Sequence, residues 1–195
     1  MKLEESFYTR EDVVQIARDL IGKYIFTNFD GGITGGIIIE TEAYEGITDC
    51  ASHAFGGRRT ARTEVMFAHG GVAYIYLCYG VHSLFNIVTN KQGIPHAVLI
   101  RGIYPVEGLD IMKIRANKPD LKPGSGSGPG KVSKLLGIHY SHTGLDLLDN
   151  DIWLEDRGLN LDSEIHAGTR IGVDYAGPDA LLPYRFWVTE GKIKP

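Results

Sequence analysis

GGIIIETEAY, residues 35–44, has the alternation of a β-strand, in which successive side chains point to opposite faces. One face carries Ile37, Ile39, Thr41 and Ala43, a set that can pack against a core. The other carries Ile38, Glu40, Glu42 and Tyr44, so two carboxylates and a phenol share one surface of a rigid element. Such a strand suits catalytic side chains, whose geometry has to be fixed. The same spacing equally describes the solvent face of an ordinary amphipathic strand.

Upstream, Tyr24 to Asn28 forms a matching strand, joined through Asp30, Gly31 and Gly32, a turn able to take positive φ. Before it, Thr9, Asp12 and the apolar series Val13, Val14, Ile16, Ala17, Leu20 and Ile21 predict an N-capped amphipathic helix ending near Gly22. Downstream, Ala73 to Tyr79 and Val81 to Thr89 predict a second hairpin with Gly80 at or near its tip, and Ala97 to Ile103 another strand. Val106 to Arg115 has helical spacing, and Gly130 to Leu136 reads as a short helix opened by Pro129. Between them lies KPDLKPGSGSGPGK, a flexible loop by its Gly, Pro and Ser content. Ile152 to Glu155, Arg170 to Val173 and Phe186 to Thr189 read as short strands. The expected fold is α+β: one mixed domain over residues 1–195, built around an antiparallel sheet with flanking helices.

Its 195 residues, with 43% apolar and 23% charged side chains, are enough for one well-buried core. No apolar stretch approaches the roughly 20 residues of a membrane helix, and the polar, acidic start MKLEESFYTREDVV lacks the pattern of a secretory signal. Cys50 and Cys78 have neither metal-ligand spacing nor a disulfide framework, so two free thiols in a reducing compartment are expected: the cytoplasm, or the nucleus in a eukaryote. The net charge of −4 is unevenly spread. From Arg58 to Lys134 there are eleven Lys or Arg against four acids, leaving −11 on the flanks. A middle segment this basic is consistent with a phosphate-binding face or with a solvated surface.

Aromatic residues gather near the acids in sequence: Tyr44 in the strand, His53 and Phe55 after it, Tyr74, Tyr76 and Tyr79 in the second hairpin. They can line a pocket, although strand tyrosines commonly serve packing. With the hairpin tip near Gly80 to His82, Tyr76 falls roughly opposite Asn86.

Read in order, ETEAY at 40–44, ASHAFGGRRTAR at 51–62, MF at 66–67, YIYLCYG at 74–80, FN at 85–86 and VLIRG at 98–102 resemble the alkyladenine (3-methyladenine) DNA glycosylase family. The resemblance continues through SGPGKVSKLLGI at 127–138, RIGV at 170–173 and PYRFWV at 183–188. It implies a curved antiparallel sheet with a protruding hairpin that enters the minor groove, and a base-excision repair enzyme that extrudes damaged purines and hydrolyses their N-glycosidic bond. Glu42 is implied as the base that activates water and Arg101 as an arginine near it, while Glu40 matches the motif without an assigned role. Tyr44 on one side and His53 with Tyr76 on the other are implied to grip the extruded base. Asn86 is implied to crowd the amino group of undamaged guanine, and Tyr79 to fill the gap in the duplex. Arg58, Thr60 and Arg62 match phosphate-holding positions. His82 departs from the larger aromatic or apolar residue of animal members, and the turn NKQGIPH at 90–96 is slightly longer than theirs. The implied partner is double-stranded DNA, engaged by a monomer that needs no cofactor and no metal. No lysine stands at a matched active-site position, which implies a monofunctional enzyme.

Two other signals are set aside. GSGSGPGK has Ser125 where a phosphate-binding P-loop needs Gly, and Val132 where it needs Ser or Thr. His139 and His142 read as surface histidines rather than metal ligands. Two rival functions remain at this level. One is a carbohydrate glycosidase using Glu40 and Glu42, residues about 6.6 Å apart along a strand. The other is a binding module without catalysis.

Overall fold

The computed structural model describes residues 1–193, so the last two residues of the expected 1–195 unit lie outside the described residues. In chain order the elements are α1 (Glu5–Tyr8), α2 (Val13–Asp19), β1 (Tyr24–Phe29), β2 (Gly32–Tyr44), β3 (Ala73–Cys78), β4 (His82–Thr89), β5 (His96–Glu107), α3 (Leu109–Ala116), α4 (Pro129–Leu136), β6 (Ile152–Glu155), β7 (His166–Gly168) and β8 (Arg185–Trp187). The strands form one antiparallel sheet in the order β3-β4-β5-β2-β1-β6, with β8 pairing β2 and β7. The fold is α+β, as expected from the sequence.

β2 organises the molecule. β5 runs along one edge; the other edge is shared by β1, against residues 32–37, and β8, against residues 40–42. Thr41 points to α2, where its hydroxyl donates to the Ala17 carbonyl (2.8 Å), as its place on the core face predicts. The opposite face is only partly polar. Ile38 is fully buried in the core, and Thr34 bonds Thr27 at 2.8 Å beneath the end of α4. The site face therefore begins beyond Ile38. A bulge falls there: the β2–β5 register slips on either side of Glu40, leaving Arg101 without a direct partner between Gly102 and Ile100.

Several local expectations change. The cap of α2 is Asp12, whose carboxylate accepts from the Gln15 N–H (2.8 Å); Thr9 instead closes α1, its hydroxyl donating to the Glu5 carbonyl (3.1 Å). In the second hairpin Tyr74, not Tyr76, lies opposite Asn86, and Tyr76 faces Leu84. The reason is the turn: Tyr79 and Gly80 are both left-handed (φ 51° and 71°), and the pairing centres on Gly80. Residues 170–173 form a loop rather than a strand. The Gly/Ser-rich segment is strapped along β5, with the Ile103 N–H bonding the Gly126 carbonyl (3.1 Å) and the Gly128 N–H bonding the Arg101 carbonyl (2.8 Å). A Cβ on Gly126 would stand 2.1 Å from the Ile103 carbonyl oxygen, so the approach requires glycine.

Candidate active site

Register places a row of residues straight across the sheet: Tyr74 on β3, Asn86 on β4, Leu99 on β5, Glu42 on β2 and Arg185 on β8. Paired residues share a face, so the carboxylate and the Asn86 amide look the same way from two strand spacings apart, about 9–10 Å. This row underlies a cavity of about 270 Å³ lined by Tyr44, His53, Tyr74, Tyr76, Asn86 and Arg101, among others.

Glu42 is fully buried beside this cavity. Its Oε1 accepts the Ile171 N–H (2.8 Å) and faces Arg101 Nε at 3.3 Å, while its Oε2 accepts the Tyr44 hydroxyl (2.8 Å). A carboxylate offers about four acceptor sites, so Oε2 retains one. Loss of solvent raises the Glu42 carboxyl above its ordinary range, against the lowering pull of Arg101, the Ile171 N–H and the Tyr44 hydroxyl; nearby Glu40 adds a further upward push. Glu40 itself is spent on structure: its Oε1 accepts Arg101 Nε (3.2 Å) and Arg185 Nη1 (3.1 Å). The bulge is what lets one guanidinium serve both acids.

The rings are fixed by their own bonds. His53 Nδ1 and the Tyr74 hydroxyl are 2.8 Å apart, and the His53 ring stands edge-on to Tyr76 at 4.7 Å. Burial, reinforced by Arg62 and Arg58, lowers the His53 imidazole to about 4, so it is neutral near pH 7. The Asn86 Nδ2 donates to the carbonyls of Tyr74 (3.1 Å) and Leu84 (3.2 Å). Two carbonyls cannot face an oxygen, so the amide orientation is fixed and its oxygen is the group left for the cavity.

Tyr79 stands at the hairpin tip, 93% exposed, with Val81 also exposed beside it. Arg58, Thr60 and Arg62 are exposed on the loop after His53, and all three line a neighbouring cavity of about 530 Å³. Their engagements differ. Thr60 is held in a local turn, its N–H bonding Thr63 Oγ1 (2.9 Å). Arg62 lies over the Tyr76 ring at 4.7 Å and reaches His53 Nε2 at 3.1 Å. Arg59 is neutralised by Glu64 through paired 2.9 Å bonds. His139 and His142 cap each other in a short turn, and His142 stacks on Phe29 at 4.1 Å.

Sequence reading assigned no role to four residues found here. Ile171 contributes through its backbone N–H, which leaves no side-chain signature. Tyr175 lines both cavities and donates to the Ala51 carbonyl (3.0 Å), but its stretch of chain has no periodicity to place it. Arg170 and Asp49 form a buried ion pair across 121 residues, a separation that spacing cannot bridge.

The sequence matches a family model described as Methylpurine-DNA glycosylase (MPG) over residues 6–192. A protein of Chlamydia abortus (strain DSM 27085 / S26/3) is 46% identical over 187 residues, 94% of this chain and 96% of its own length. One from Chlamydia felis (strain Fe/C-56) is 44% identical over 195 residues, covering 98% of each chain. A third, from Bacillus cereus (strain G9842), is 41% identical over 196 residues, 96% of this chain and 95% of its own. All three carry the name 3-methyladenine DNA glycosylase on a provisional basis.

Proposed function

Since the chain belongs to the methylpurine-DNA glycosylase family, we propose that this monofunctional DNA repair glycosylase extrudes alkylated or deaminated purines from duplex DNA into the ring-lined cavity. There Glu42 activates the water that replaces the base. The observation that carries this reading is a fully buried carboxylate held by the Tyr44 hydroxyl, the Ile171 N–H and Arg101, three residues that line that cavity.

An extruded base needs a slot and the duplex needs a filler, at a cost of a few kcal/mol for unstacking. Tyr44, His53 and Tyr76 supply the slot, and Tyr79 on its exposed tip supplies the filler. Stacking contributes about 1–3 kcal/mol per base, and electron-rich rings favour a cationic alkylpurine over a neutral one. Asn86 sets its amide oxygen against the base edge and crowds the amino group of a guanine, a penalty that the weaker glycosidic bond of an alkylated guanine offsets and that of ordinary guanine does not. Arg58, Thr60 and Arg62 hold the backbone, so that on this reading Arg62 exchanges its contact with Tyr76 for a phosphate.

In the reaction, the bond between the sugar C1′ and the base nitrogen breaks with its electron pair leaving on the base. An alkylated purine departs as a neutral molecule, and the sugar gains oxocarbenium character stabilised by the Glu42 anion. Water adds to C1′ and its proton passes to Oε2, the carboxylate oxygen with an open acceptor site. Arg101 favours the ionised form of Glu42 against the effect of its burial. Among the described residues no lysine lines the cavity to form a Schiff base, in keeping with hydrolysis to an abasic site. The enzyme acts as a monomer.

Chromatography of bases released from a duplex holding one 7-methylguanine tests the assignment. The unmodified protein is expected to release the base, and Glu42→Gln to bind the same duplex while releasing none. Release by Glu42→Gln at the unmodified rate would overturn it.

A further inference from the structure

Arg170 has a side chain with no exposed surface, and it touches neither Glu42 nor the cavity directly. Its Nη1 donates to the Ala43 carbonyl (2.9 Å) and to Asp49; its Nη2 donates to Asp49 Oδ1 (2.9 Å) and to the Asp179 carbonyl (3.0 Å). The guanidinium also lies 4.9 Å from the Tyr44 ring centre and 5.4 Å from that of Tyr184. One planar fork thus ties β2, the segment after it and the loop at Asp179 to the chain at 170. The next residue along that chain is Ile171, whose N–H donates to Glu42 Oε1 at 2.8 Å.

Two of the three groups that hold the carboxylate therefore hang on this fork. Ile171 is its covalent neighbour; Tyr44 is under its plane and adjoins Ala43, which it bonds. Burying an ion pair is a poor way to gain stability, because desolvation offsets most of the attraction and well-packed apolar groups serve as well. What a bidentate arginine supplies is orientation.

We infer that Arg170 and Asp49 are a positioning pair for Glu42, holding the Ile171 N–H and the Tyr44 hydroxyl on its carboxylate. The inference rests on the assignment of Glu42 as the base. The charged and titratable groups around that carboxylate are Glu40 and Tyr44 on β2, Arg101 on β5, Arg185 on β8 through Glu40, and Arg170 and Tyr175 on the loops beyond. Only Arg170 governs two donors while making no bond to Glu42.

Without the fork the Ile171 N–H leaves Oε1 and Glu42 holds its proton more tightly. Arg170→Lys keeps the charge and loses the fork; Asp49→Asn keeps the shape and loses the charge. Single-turnover release of 7-methylguanine, measured against pH, is expected to show the acid limb of both variants moved up by about one pH unit. The neutral-pH rate is expected to fall roughly ten- to a hundredfold, with duplex affinity unchanged. A role confined to stability would lower the melting temperature and leave the limb in place. If Glu42→Gln releases base normally, the base assignment fails and this inference with it. If Glu42→Gln is inert while both variants fold and keep the unmodified limb, the inference alone is overturned. Failure of both variants to fold also overturns it, since the pair would then belong to the fold.

Discussion

At the scale of single residues, the proposed function makes Glu42 the group that sets the pH behaviour. Its carboxyl is raised by burial, so the ionised base appears only above the ordinary carboxylate range, and the rate is expected to climb with pH through that raised value. Stability moves the other way. A carboxyl raised in the folded state binds more protons folded than unfolded, so folding loses free energy as pH rises from the unfolded value through the folded one. Glu42→Gln is therefore expected to raise the melting temperature at neutral pH in calorimetry. An unchanged or lower melting temperature would contradict it. Tyr44→Phe keeps the ring and removes one bond that lowers Glu42. It is expected to move the acid limb of base release upward while leaving duplex affinity within about twofold, both readable in one single-turnover series. For His53 the sign is opposite to that of Glu42: its lowered imidazole makes the fold lose stability as pH falls from the ordinary value of 6.5 toward about 4. The acids and rings were legible because strand alternation and aromatic type are written in the side chains. The Ile171 N–H and the Arg170–Asp49 pair were not, since one is backbone and the other is made by the tertiary fold.

Elements were legible in proportion to their periodicity. β2 reads from its alternation, and the match of its face to Glu40, Glu42 and Tyr44 survives the bulge because the register slips and then recovers on either side of Glu40. The hairpin was placed correctly but slid in register, since the centre of its turn depends on Tyr79 adopting a left-handed conformation rare for a residue with a side chain. Residues 170–173 looked like a strand from their apolar content, yet the Ile171 N–H is directed to a carboxylate rather than a ladder. Two expectations belong here. Tyr79→Ala, at an exposed tip, should leave stability within about 0.5 kcal/mol but weaken duplex binding by about 1–3 kcal/mol, compared by melting and by titration. Gly126→Ala has to lift the strap off β5, and with it the Gly128 bond to the Arg101 carbonyl. A loss of about 2 kcal/mol in denaturant unfolding is expected, together with slower base release.

For the molecule as a whole, the sum of charges hides a division: a protein of net charge −4 carries a positive surplus over residues 58–134, the stretch that holds the second hairpin. Binding to duplex is therefore expected to weaken with salt despite the acidic total, and Arg58→Ala to reduce the slope of log affinity against log salt by about 0.9, with the single-turnover rate at saturation unchanged. Fluorescence titrations at several ionic strengths measure it. No helix among the described residues is long and apolar enough to cross a membrane. One feature of the sheet reaches further. Carboxylate, amide and leucine lie on three neighbouring strands stitched to one another, so this side of the cavity has no hinge of its own. On the proposed reading the bending is left to the nucleic acid, and discrimination begins before any chemistry: lesions that already loosen their pairing enter easily, while a well-stacked one must first be worked free.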